Sequence, residues 1–104
     1  MIFRRGRFSE VIGRQLDLFE LDHADVIAEA AEKLSAYNRA ERDEAEELYG
    51  DYVDVVETGT ELLADIRDAF ASTLPEGTDE LYESAFNRAV ARRWKAFALE
   101  IENR

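Results

Sequence analysis

What this chain lacks narrows the reading first. Its 104 residues include no cysteine, which excludes a disulfide framework, a cysteine zinc site and a thiol nucleophile. A lone histidine, His23, excludes a multi-histidine metal site within one chain. Five glycines stand singly, so there is no glycine-rich phosphate loop. Pro75 is the one proline, and little else in the sequence forbids long helices. No apolar run approaches the ~20 residues of a membrane-spanning helix. The start, Met1 to Arg7, is basic, but the apolar stretch of a signal peptide is interrupted by Glu10, Arg14 and Asp17. These absences together read as a cytoplasmic protein.

What is present suits one domain. Hydrophobic residues make up 46% of the chain, enough for a core despite 36% charge. The net charge of −11 is unevenly spread. Residues 1–14 carry +3, residues 15–83 carry −17 and residues 84–104 carry +3. An acidic middle repels a phosphate backbone, so nucleic acid is disfavoured as a partner. The basic ends can instead fold back onto the acidic middle, within the chain or between chains.

Periodicity predicts an all-α fold with three helices. Phe8, Ile12, Leu16, Phe19, His23, Ile27, Ala30, Leu34 and Tyr37 recur in threes and fours, the mark of one helix face. So do Ala45, Leu48, Tyr52, Val55, Gly59, Leu62, Ile66 and Phe70. The predicted helices cover about 9–37, 41–73 and 78–102, after a basic arm at 1–7. Ser9 and Thr78 are the expected N-caps, and Asp43 with Glu46 forms a possible capping box. No proline or glycine separates the first two helices near Tyr37–Ala40, so a single rod competes with a tight turn; the turn is preferred. A turn near residue 39 makes an antiparallel hairpin in which Phe8 faces Phe70, Leu16 faces Leu62 and Phe19 faces Gly59. That large-against-small pairing marks Gly59 as a close-packing position. The third helix lays Tyr82, Phe86, Val90, Trp94, Phe97 and Ile101 on the hairpin. Such rods form a thin bundle, which the reading completes by dimerisation.

The candidate site residues fall in two groups. Val11, Leu18 and Leu21 point away from the hairpin seam, and Trp94 and Phe97 belong to the broad apolar row of the third helix. These five are the expected interaction residues. The other group is Glu20 and His23, which share a helix side at i, i+3 and would hold one divalent metal together. Their Glu-x-x-His spacing is similar to the di-iron motif of ferritin-like proteins. That resemblance covers four residues, and it implies a second such motif from another copy, with two further glutamates. The competing reading makes His23 a core or boundary residue bonded to Glu20 or Asp22. Arg92-Arg93-Trp94-Lys95 offers an anion or an acidic partner patch a place to bind, unless Trp94 is core and the cations are merely exposed. Tyr37, Tyr49, Tyr52 and Tyr82 are expected to rim the core with their hydroxyls in water.

No catalytic template emerges: Ser9, Ser35, Ser72 and Ser84 lack a second histidine and a nucleophile-elbow context. The leading expectation is a non-catalytic helical interaction module that forms homo-oligomers or docks a helical protein partner, without a cofactor. The alternative is a carboxylate–histidine metal protein built across a dimer. A nucleic-acid or membrane-surface binder using the basic ends ranks behind both.

Overall fold

A computed structural model describes residues 6–104. Arg4 and Arg5 of the expected basic arm lie outside them. The chain is all-α. Helices α1 (Ser9–Asp22), α2 (Ala24–Asn38), α3 (Ala45–Ala71), α4 (Thr78–Arg93) and α5 (Ala98–Glu102) follow in order, with a 3-10 turn at Lys95–Phe97 before α5. None is long and apolar enough to cross a membrane.

Two of the three predicted rods are broken. The first breaks at His23, whose φ of −127° and ψ of 36° lie outside the helical region. The third breaks at Trp94, which is extended with φ −137° and ψ 101°. Neither break has a glycine or proline at it. Tertiary packing overrides local helix propensity at both. The chain reverses at Trp94 so that the C-terminal segment turns in, burying Phe97 and Ile101 completely or nearly so.

Phe97 explains the rest of the arrangement. Its ring sits between α1 and α3, 6.4 Å from the Phe19 ring on one side and against Gly59 on the other. It thereby occupies the space that the sequence assigns to Phe19. The register shifts accordingly: Val26 of α2, not Phe19 of α1, stands across from Gly59. The antiparallel hairpin exists, but its long arm is α2 against α3, and α1 is held off α3 by the inserted aromatic ring. Placing Phe97 among interaction residues is therefore corrected: it is 1% exposed.

The core gathers at one end of the molecule. Ile12, Leu16 and Phe19 from α1 meet Val56, Leu63 and Ala64 from α3, Tyr82, Phe86 and Val90 from α4, and Phe97 and Ile101. The other end is thinly packed. In α2 only Ala30 is buried, and in α3 no residue before Val56 is. This half of the hairpin projects as a two-helix arm from an elongated particle of 50 × 33 × 21 Å.

Arg67 closes the core end. It is a cation on an acidic helix, yet only 4% exposed. Its guanidinium donates to the main-chain oxygens of Ile101 at 3.2 Å and Arg104 at 2.8 Å, to Asn87 Oδ1 at 3.1 Å and to Asp68 Oδ1 at 2.8 Å. Cations are favoured at a helix C-terminus, and here the cation comes from a neighbouring helix.

The caps differ from expectation. Ser9 is the first helical residue of α1 and caps nothing with its side chain. Asp43 makes no cap bond to α3, which begins at Ala45 after Glu44. At α4, Gly77 takes φ +90°, a left-handed conformation suited to glycine. Asp79 Oδ1 then accepts from the amides of Gly77 and Glu80 at 3.0 and 2.9 Å.

A methyl group at Gly59 would lie 2.6 Å from Phe97 Cε1 and 2.8 Å from Cζ. The ring is enclosed and cannot withdraw freely. Gly59→Ala is thus expected to lower stability by about 1–3 kcal/mol, read as a lower urea midpoint. An unchanged midpoint would mean that Phe97 does not fill this position.

Candidate interaction groove

Helices α1 and α4 run parallel, as their successive contacts show. Phe8 meets the Tyr82 ring edge-on at 5.5 Å, Asp17 meets Arg93 at 2.8 Å, and Phe19 meets Trp94 at 5.3 Å. Between them lies an open groove of about 580 Å³. On the α1 side it is lined by Phe8, Ile12 and Leu16 at four-residue spacing, with Gly13 among them. On the α4 side it is lined by Ala85 and Ala89, also four apart, and by Arg88, Arg92 and Arg93. The small residues keep the two helices from filling the space. A Cβ at Gly13 would meet nothing within 4 Å.

The three arginines differ in how they are held. Arg93 is tethered: its Nη1 lies 2.8 Å from Asp17 Oδ1 and 3.8 Å from Glu20 Oε1, and its guanidinium sits 5.4 Å from the Trp94 ring centroid. Parallel packing sets the negative C-terminal ends of α1 and α4 side by side, and the last turn of α1 has no cation of its own. Arg93 in the last turn of α4 supplies it. Arg88 and Arg92 are exposed and have no carboxylate within 4 Å among the described residues. They form a one-turn pair of uncommitted cations along the groove.

The metal-directed pair looks different in place. His23 is the joint between α1 and α2, half-buried, with its ring 5.3 Å from that of Phe19. Glu20 is exposed and leans toward Arg93. Among the described residues no three His, Asp or Glu side chains converge on one point where a metal ion would sit.

Of the five expected interaction residues, Leu18 and Leu21 are exposed at 58% and 76%. Val11 and Trp94 are half-buried and pack against the core, and Phe97 is inside it. The groove itself was missed. Its signals were Gly13 in an otherwise bulky α1 and the interleaved repeats Ala85–Ala89 and Arg88–Arg92.

Tyr82 lies beneath this region and corrects the expectation that all four tyrosines reach water. It is fully buried, ringed by Phe8, Phe70 and Phe86, and its hydroxyl donates to Gln15 Oε1 at 2.8 Å. Burial pushes its pKa up from 10.0 to about 12. Burial also raises Tyr52, with the neighbouring Tyr49 adding to it.

No protein family, curated protein or solved structure matches the chain.

The Tyr82 shift has a defined pH signature. Below pH 10 the phenol is protonated in both folded and unfolded chains and contributes no pH dependence. Between pH 10 and about 12 the unfolded chain ionises first, so stability is lost as pH rises through that window. Urea midpoints of the wild type should fall more steeply there than those of Tyr82→Phe. Equal slopes would show that Tyr82 ionises as freely folded as unfolded.

Proposed function

We propose that this chain is a non-catalytic helical interaction module whose α1–α4 groove receives an acidic amphipathic helix. The observation that supports this reading is the pairing of an apolar floor, left open by the described residues, with the cations of Arg88 and Arg92, which have no carboxylate partner among those residues, in a chain of net charge −11. Gly13, Ala85 and Ala89 allow the close approach that a third helix needs to settle between two others. The partner's apolar side chains lie over the floor beside the half-buried Phe8, Ala85 and Ala89. Its carboxylates, one turn apart, match Arg88 and Arg92 at the same spacing. Charge then sets which helix is accepted more than how tightly it is held, because rim pairs favour encounter and register.

The test uses a synthetic amphipathic helix with leucine on one face and glutamate at i, i+4 beside it. Trp94, the one tryptophan, adjoins the arginine end of the groove and reports through its emission. The Glu peptide should bind saturably, and its lysine counterpart should not. Gly13→Leu places a side chain in the groove from a position where a Cβ would meet nothing within 4 Å, and should weaken binding by at least about tenfold, ~1.4 kcal/mol; circular dichroism confirms that the variant is folded. Equal binding of the two peptides, or of the Gly13→Leu variant, would refute the reading.

A further inference from the structure

We propose that the natural occupant of the groove is the acidic arm tip of a second copy of this chain, exchanged reciprocally in a closed dimer. The proposal rests on the groove reading above and adds the identity of the partner. Three features of the arm support it.

The first is charge. Residues 24–58 hold eleven acids against Lys33, Arg39 and Arg42, a net of −8. Two such arms repel one another, so a bundle of arm against arm is disfavoured, whereas the arginine-lined groove attracts the arm. The second is the apolar surface among those acids. Tyr49 is 50% and Leu34 37% exposed, and the Tyr49 ring meets those of Tyr37 and Tyr52 at a tilt, with centroids 5.1 and 6.2 Å away. The tip thus carries a partly exposed aromatic cluster, with Glu47 and Asp51 on the other side of α3. The third is spacing. Glu47 and Asp51 lie one helical turn apart on α3, as Arg88 and Arg92 do on α4.

A chain cannot satisfy its own groove this way. At 1.5 Å per residue the 15 residues of α2 carry the tip about 22 Å beyond the His23 joint, away from α1 and α4. A second copy meets no such limit. Because each chain carries one arm and one groove, reciprocal exchange about a two-fold axis closes the assembly at two chains.

Charge exchange tests this by sedimentation at micromolar concentration and about 0.1 M salt, where the Debye length is about 10 Å. The wild type should sediment as a dimer of the 11.9 kDa chain. Arg88→Glu/Arg92→Glu sets acids against the acidic arm and should be monomeric. Glu47→Arg/Asp51→Arg sets cations against the arginines and should also be monomeric, although its net charge is smaller. Mixing the two variants restores both contacts and should yield a heterodimer; circular dichroism confirms that each variant is folded. A monomeric wild type, a dimeric single variant, or a mixture that stays monomeric would overturn the proposal. If the wild type is monomeric yet still binds the Glu peptide, the groove reading stands and the second copy is not its occupant. If it neither dimerises nor binds the peptide, both fall.

Discussion

One aromatic ring and one missing side chain govern this fold. Phe97 fits against α3 only because residue 59 has no Cβ, and once it is there α1 cannot also lie against α3. Helix α1 must swing aside, which the chain achieves at His23. The C-terminal segment must double back to deliver the ring, which it achieves at Trp94. With α1 displaced, its apolar row turns to α4, and the small residues on both leave the groove between them. The two helix breaks, the displaced α1 and the groove are thus four results of a single steric fit. Close packing of this kind is what converts a generic apolar pattern into one arrangement.

Charge completes what packing begins. The fold places two helix C-termini side by side and brings a third, that of α5, to the flank of α3. Each junction receives a cation from a different helix: Arg93 of α4 serves the end of α1, and Arg67 of α3 serves the end of α5. Arg67 is the more committed of the two, enclosed and bonded to two main-chain oxygens. Exposed pairs such as Glu10–Arg14 at 3.5 Å contribute little by comparison. Within an acidic chain, the buried arginine is spent on architecture, while Arg88 and Arg92 remain available at the surface.

Much of this was readable from periodicity. The recurrence of Ile27, Ala30 and Leu34, and of Leu48, Tyr52 and Val55, in threes and fours marks two helix faces, and Gly59 stands out as a place of close approach. The identity of the ring filling that place was not readable, because Phe19 and Phe97 both lie in apolar rows of the right period. The breaks at His23 and Trp94 lack any local signal; they relieve a tertiary conflict that only the assembled core reveals. Arg67 was hidden for a related reason. A lone arginine on an acidic helix has the pattern of a solvated residue, and its burial depends on carbonyl groups 34 and 37 positions away. The groove was hidden because small residues mark a void only when another helix is known to lie opposite. Periodicity therefore reports which residues share a face, but not which faces meet.

The uneven distribution of buried residues implies an uneven resistance to local opening. The body holds nearly all the enclosed side chains, whereas the arm relies on half-buried contacts between two helices and on Ala30. Its backbone amides are protected only by pairing of that strength, so the arm is the unit that opens first and most often, at a small fraction of the free energy of global unfolding. Helix α3 runs through both regions without interruption. Along this single helix, then, hydrogen exchange in an unassociated chain is expected to pass from rapid near Ala45 to slow beyond Val56, so one continuous rod is divided between a loosely held and a tightly held half.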